Sequence, residues 1–481
     1  MSRFQIFLIF IVLSIGTLLR LYHLKSPIAD WHSHRQADTA SVTKIFSQNG
    51  VNLLYPRYHD LSNVQSGQEN PQGWRMVEFP IYNAVSVYFH QIFHFNIEIS
   101  SRLVSIILSL FSAILIFLIC FDQTHLFLPS FFSLSIFLLL PFNIYYSRSI
   151  LPEPSAVFFM LLTLYLFPKN IYLSALSLAI SILLKPYTAI VIFPNLLILS
   201  RQKKYLYSLL FFFLISIIPF IGWRLWIRQF PAGIPSSDWL FNNGVTTTFP
   251  SWFHGHNLSF FNKLIAFRPH WWRWLFYERI GNLIFGAFGL IPLFLGLAFK
   301  KNKTQIFSFG LITGIFIYFV TIAQGNIQHD YYQVLIIPSL SIISGFGYYY
   351  LFSFLFSSKV LSVSLLLITL SFSLYFSWDQ IKGFYQIGHP QIISAGQKAQ
   401  ELLPKNSLVI APYTGDTAFL YQTGFSGWPV EIYDIPNKIK SFPNQPIYLI
   451  SVNYDQYTNS FISKYPIIFK NNDYIILKLS P

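Results

Sequence analysis

The stretch Asp30-Trp31-His32-Ser33-His34-Arg35-Gln36-Ala37-Asp38-Thr39 places two carboxylates, two imidazoles and a guanidinium just after an apolar run, Phe4 to Tyr22, that is long enough to cross a membrane. Carboxylates and imidazoles exchange protons near neutral pH, and an arginine beside them attracts anions. The same composition also solvates the end of a membrane helix. Asp38 fits two roles: a base, or the cap of a short helix over about 40–46. His32 and His34 offer two metal ligands, as do His254 and His256, but a structural zinc site needs about four. Both pairs are therefore expected to be ordinary loop histidines.

The elements that must carry these residues are membrane helices. With 53% hydrophobic and 10% charged residues and a mean hydropathy of +0.49, the 481-residue chain is too apolar for a soluble globular protein. Apolar runs predict eleven spans, at about 4–22, 102–121, 125–146, 154–168, 171–185, 186–200, 205–224, 280–299, 304–323, 334–354 and 360–377. An interfacial helix is expected over 79–95, where Pro80, Asn83, His90 and His94 interrupt the apolar run. The segment from Gly67 to Trp74 is turn-rich and reads as an irregular loop. The first run lacks a small-residue cleavage signature and is expected to be retained as a span. The net charge of +14 is spread through loops and not gathered in one aromatic-laced stripe, so it points away from nucleic acid. Cys120 is the only cysteine, which excludes an intrachain disulfide.

Alternating the spans puts Arg3, Lys169, the Arg201 to Lys204 cluster, the Lys300 to Lys303 cluster and Lys359 on one side, which the positive-inside rule makes cytoplasmic. The expected location is the cytoplasmic membrane, with the amino terminus inside and the carboxyl-terminal region outside. On this map 17 of the 18 Asp and Glu residues fall on the outer side or at outer span ends, Asp122 being the exception. Acid-base chemistry then belongs to the outer face. The expected division is a membrane domain over 1–379, with outer loops at 23–100 and 225–278, and an extracytoplasmic α/β domain over 380–481. In that last part a helix is predicted from Gln391 to Leu403, and buried strands start near Ser407, Gln445 and Asp473. It has no Gly-rich phosphate loop, so a capping or docking role is favoured for it over catalysis.

Several short motifs share the outer side: Glu78-Phe79-Pro80 followed by Ile81-Tyr82, Arg102 at the start of the second span, Tyr146-Ser147-Arg148 with Pro152-Glu153, Lys185, and His329-Asp330-Tyr331-Tyr332 before a span containing Pro338. Together with Asp38 they resemble the membrane glycosyltransferases of the C fold. Within these the chain is most similar to bacterial relatives of the protein O-mannosyltransferases and of the lipid A aminoarabinose transferase. The likeness covers most of the membrane region and extends to Gly424-Phe425-Ser426-Gly427-Trp428. The chain also departs from the pattern. Many members carry Asp-Glu where this chain has Asp38-Thr39, so a two-carboxylate metal site is not expected; the aminoarabinose transferases carry a lysine where this chain has Phe79.

The resemblance implies inverting transfer of a sugar from a polyprenyl-phosphate carrier, with membrane lipids as surroundings and no cofactor strictly required, a divalent metal being the one candidate. It places Asp38 as the base that takes the acceptor's proton. The phosphate leaving group calls for cations, and Arg102, Arg148, Lys185 and His329 lie at the same depth. Arg35, Glu78, Glu153, Asp330, Tyr331 and Tyr332 are expected to support them. Ionisable residues near a membrane core cost roughly 2.5–3.5 kcal/mol each on insertion scales, which favours function. Arg102 at a helix end also suits snorkelling to headgroups. Trp271 to Trp274 reads as an interfacial anchor, with sugar stacking as the lesser reading. A transporter or flippase of a lipid-linked substrate is the alternative. It requires charges along a path through the bilayer and repeat symmetry, whereas these spans are nearly charge-free at their centres and no repeat is visible.

Overall fold

The computed structural model describes residues 1–201, 206–236, 268–298, 302–353 and 358–480. The His254 and His256 pair and most of the two basic clusters near 203 and 301 lie outside the described residues. The chain is largely helical: α1 (Arg3–Arg20), α2 (Ser33–Asn49), α3 (Ile81–Phe93), α4 (Ile97–Thr124), α5 (Phe127–Leu139), α6 (Pro141–Arg148), α7 (Glu153–Leu166), α8 (Ile171–Leu184), α9 (Tyr187–Arg201) and α10 (Leu206–Ile227) precede the helices Asn302–Thr321, Ile337–Ser353 and Lys359–Ile381. Along α1, Phe4, Phe7, Phe10 and Leu18 stand exposed, which is the surface a lipid-facing helix presents.

Among the described residues six helices are long and apolar enough to cross a membrane, or seven if the bent pair α5 and α6 is one span. The 62° bend has a local cause. Pro141 cannot donate to the α5 ladder and holds Leu140 extended, and Asn143 Nδ2 donates to the Phe137 carbonyl at 2.6 Å in place of the lost bond. The remaining expected spans fall short. Segments 154–168 and 171–185 form helices of 14 residues, 186–200 one of 15, and 280–299 divides between a π-helical stretch, Leu275–Ile284, and the short helix Leu290–Leu297. The last of these crosses Ile337–Ser353 with the two backbones touching. A Cβ on Gly347 would lie 1.6 Å from the Pro292 carbonyl oxygen, so only glycine allows that approach.

The expected helix over 40–46 is far longer. α2 begins at Ser33, after His32 in the left-handed conformation, so Asp38 sits in its second turn and caps nothing. Sequence periodicity could not find this boundary because the buried face of α2 is polar, carrying Arg35, Gln36, Asp38, Ser41 and Thr43. At the far end of α4, Asp122 Oδ2 meets Lys169 Nζ at 2.7 Å. Arg102 and Asp122 are 20 residues apart on that helix, roughly 30 Å, so the Asp122 pair and the acid-rich cluster lie at opposite ends of the bundle.

The carboxyl-terminal region holds a five-stranded sheet in the order β2-β1-β3-β5-β4, formed by β1 (Leu408–Ile410), β2 (Ser426–Trp428), β3 (Ile447–Ser451), β4 (Ile467–Lys470) and β5 (Ile475–Lys478). β1 runs parallel to β2 and β3, while β5 runs antiparallel to β3 and β4. The expected helix is present as Gln391–Leu402, and β1, β3 and β5 are the expected strands. Trp428, Leu449 and Ile475 fill the core on one side. The first loop continues the sheet beyond β2: Gly427 N–H donates to the His59 carbonyl at 2.9 Å, and Leu61 N–H to the Gly427 carbonyl at 2.8 Å. This pairing brings the helix Thr417–Thr423 against α2 and fixes Thr417 over Asp38.

Candidate active site

A cavity of about 390 Å³ opens between α2, the first loop, the break at Lys185-Pro186 and the segment His329 to Tyr332. Its wall includes His34, Arg35 and Asp38 from α2, Gln65, Arg75 and Glu78 from the loop, and Arg224 from α10. Among sequence-expected residues, Asp38, Arg35, Glu78, Lys185, His329, Tyr331 and Tyr332 line it; Glu153, Arg102, Arg148 and Asp330 do not.

Asp38 is buried and held by three donors. Arg75 Nη2 lies 2.8 Å and Gln65 Nε2 3.0 Å from Oδ2, and Thr417 Oγ donates to Oδ1 at 2.7 Å. Arg75 also donates to the Gln65 side-chain oxygen, so the donors brace one another. A carboxylate accepts about four hydrogen bonds, which leaves roughly one lone-pair site on Asp38 for a group in the cavity.

Beside it runs a chain of alternating charge. Arg35 and Lys185 both reach Glu78 Oε1, the lysine at 2.7 Å, and Lys185 Nζ continues to Glu153 Oε1 at 2.8 Å. Glu153 Oε2 is buried without a hydrogen-bond partner among the described residues. Burial opposes ionisation of Glu78, but the Arg35 and Lys185 charges outweigh it and hold that carboxyl well below the usual range. The break between α8 and α9 puts Lys185 here: Pro186 cannot extend α8, and Lys185 is left extended at its end.

The other expected cations stand behind the wall. Arg102 Nη1 donates to the carbonyls of Leu24 at 2.7 Å and Ser26 at 2.5 Å, tying down the chain that leaves α1. Arg148 pairs with Asp30 at 2.8 Å and lies over the rings of Tyr145 and Tyr385. Arg35, Arg75, Arg148 and Lys185 each have a carboxylate partner. Burying a charge is costly unless it is paired or hydrogen-bonded, and each of these four cations has an acid against it.

Asp330 is enclosed by polar donors. It accepts from Trp31 Nε1 at 3.0 Å and His32 Nε2 at 2.6 Å, and from the Tyr146 hydroxyl. His34 lies on the cavity side, where burial pushes its pKa down to about 4; His32 and Arg35 add to the fall while Asp38 opposes it. His329 is pushed down to about 3, by burial first and then by His32, His34 and Arg35. Both imidazoles are therefore neutral at pH 7.

Gln65, Arg75, Arg224 and Thr417 were not singled out by sequence. Gln65 and Arg75 flank the irregular segment Gly67 to Trp74 in the first outer loop, where no periodicity marks them, and Thr417 is 379 residues from Asp38. The run Trp271 to Trp274 forms a short helix, Pro269–Trp274, away from this wall.

Helices bundled around a cavity at one end, with the first loop folded over it and a small sheet beyond, constitute the fold of the C-type membrane glycosyltransferases. The chain is similar to ArnT from Cupriavidus metallidurans, solved in the apo state and bound to undecaprenyl phosphate, with a TM-score of 0.63 at 12% identity over 98% of this chain and 97% of that one. It is also similar to the archaeal oligosaccharyltransferase AglB from Archaeoglobus fulgidus, solved with an inhibitory peptide and a dolichol-phosphate, with a TM-score of 0.54 at 10% identity over 94% of this chain and 70% of that one. No protein-family model and no curated protein sequence matches the chain.

Proposed function

We propose that this protein is an inverting glycosyltransferase that takes a sugar from a polyprenyl-phosphate carrier and passes it to an acceptor at the outer face of the cytoplasmic membrane. The observation that carries this reading is a buried, braced carboxylate, Asp38, facing the same cavity as Arg35 and Lys185. The acceptor hydroxyl or amine approaches the remaining lone pair of Asp38 and gives up its proton there. Its freed electron pair forms the new bond at the anomeric carbon, and the old carbon–oxygen bond breaks with its electrons going to the carrier phosphate. Lys185 and Arg35 balance the charge that grows on that phosphate, which requires them to share their contacts to Glu78 and Glu153 with it. Glu78 also lines the cavity, but a carboxyl held so strongly ionised is a weak base. The fold shared with ArnT and AglB, each solved with a polyprenyl-type phosphate, supports the class of donor. The transporter alternative is disfavoured because the buried ion pairs gather at one end of the bundle.

The test is to incubate membranes containing the protein with a panel of polyprenyl-phosphate sugars. Mass spectrometry should find one donor converted to free polyprenyl phosphate and a matching mass gain on an acceptor. Passage of donors across the bilayer with the sugar still attached would contradict the proposal.

A further inference from the structure

Three histidines from two distant parts of the chain meet at the edge of the cavity. The ring centroids of His32, His34 and His329 are 5.7–6.0 Å apart, and one ligand nitrogen from each lies within 4.8 Å of the others. The sequence offered only the pair His32 and His34, two ligands short of a structural site. The fold supplies a third from the turn before the helix Ile337–Ser353.

Two further observations point to a ligand. The Nδ1 atom of His329 is buried and has no hydrogen-bond partner among the described residues, a cost that a bound ion removes. His32 Nε2 lies 2.6 Å from an oxygen of Asp330, and a carboxylate can only accept, so His32 donates there and keeps its lone pair on Nδ1. A carboxylate behind an imidazole in this manner is the usual outer partner of a metal-ligating histidine; it fixes the ring and raises its basicity. The Trp31 and Tyr146 donors to Asp330 hold that carboxylate in turn.

We propose that His32, His34 and His329 bind a divalent transition metal of the zinc class, with a fourth coordination position open to the cavity. Three imidazoles suit zinc, cobalt, nickel or copper ions, and not the oxygen-seeking magnesium or calcium. An ion about 2.0–2.1 Å from each nitrogen sets those nitrogens about 3.4 Å apart in a tetrahedral site, so the rings close inward by roughly 1 Å on binding. Three protein ligands with an open position is the arrangement that admits a substrate atom. His34 and His329 line the cavity, so an anionic oxygen entering it meets the ion directly.

The experiment is Co²⁺ titration of the purified full-length chain, free of any polyhistidine tag, followed by visible absorption. Wild-type protein should bind one Co²⁺ with the intense bands of a four- or five-coordinate nitrogen site, and inorganic phosphate should alter them. His34→Ala and His329→Ala should each weaken binding by more than about 100-fold, and Asp330→Asn by about 10- to 100-fold. Weak octahedral bands in the wild-type protein, or binding that survives both histidine substitutions, would overturn the site; bands unmoved by phosphate would overturn the open position. The wild-type spectrum decides the matter even if a variant folds poorly. No sugar donor is involved, so failure here leaves the glycosyl-transfer reading standing.

Discussion

Replacing Lys185 with Met separates what the charge chain does for folding from what it does for chemistry. Lys185 Nζ touches Glu78 and Glu153 at 2.7 and 2.8 Å, and Glu153 is buried with its second oxygen already unpartnered. Met fills the volume of the stem but leaves Glu153 as a buried carboxylate without its cation. Breaking a buried pair in this way costs about 3–5 kcal/mol. Adding Glu153→Gln removes the stranded charge, so the double variant should recover a coupling energy of about 0.5–3 kcal/mol. Stability is read from unfolding of the detergent-solubilised protein followed by tryptophan fluorescence. Transfer is read from donor turnover on the same samples. The double variant should regain stability yet stay about 100- to 1,000-fold slow, because the ammonium that meets the leaving phosphate is still missing. A Lys185→Met protein as stable as wild type would refute the charge chain. A stable double variant that transfers sugar at the wild-type rate would refute the role of Lys185 at the phosphate.

Thr417→Val removes the hydroxyl that donates to Asp38 at 2.7 Å, a bond to a charged group worth about 1.5–3 kcal/mol, so the unfolding free energy should fall by about that much; unchanged stability would make the carboxyl-terminal contact incidental. His59 is buried against Ser41, and burial pushes its pKa down to about 3 from an unfolded value near 6.5. Below about pH 6.5 the unfolded chain binds the proton that the folded one refuses, so stability should fall with pH by up to about 1.4 kcal/mol per unit until about pH 3. Melting curves at pH 7 and pH 5 should show that slope, reduced in His59→Gln; an identical slope in the variant would count against it. Orientation is tested by single cysteines at Lys169 and Lys464 in a Cys120→Ser background: an impermeant thiol reagent added to intact cells should label only position 464, and labelling at 169 would reverse the topology.

Composition and long apolar runs carried most of the architecture, because a lipid-facing helix is apolar whatever its neighbours are. They failed where helices are short or broken. The stretch after Lys185 reads as a full span but forms a single helix of 15 residues, and the one after Glu278 divides at Gly286 to Gly289 into two pieces. α2 was misjudged for a different reason: its inward face is polar, so the helix that bears Asp38 carries no hydrophobic signal. At the site, Asp38, Glu78 and Lys185 were recognisable from the order of short motifs. Arg102 and Arg148 looked the same as Lys185 in sequence, since a basic residue at a helix end can face a cavity or bind carbonyls and acids behind it. The partners of Asp38 were invisible because Arg75 lies in an irregular loop and Thr417 arrives through the pairing of Gly427 with His59, a contact set by tertiary folding alone.

The central claim is that Asp38 takes the acceptor's proton, and the structure supplies a matched control for it. Asp30 and Asp38 are both buried, and each forms a 2.8 Å ion pair with an arginine, but only Asp38 faces the cavity. Asn at either position breaks one buried pair, so the structural damage is comparable and the chemistry is not. The direct measurement is single-turnover transfer from the identified polyprenyl-phosphate sugar, with donor binding measured alongside. Asp38→Asn should lose about 100- to 10,000-fold in rate while still binding donor, and Asp30→Asn should keep its rate per folded molecule. Equal losses in the two variants, or an active Asp38→Asn enzyme, would contradict the account.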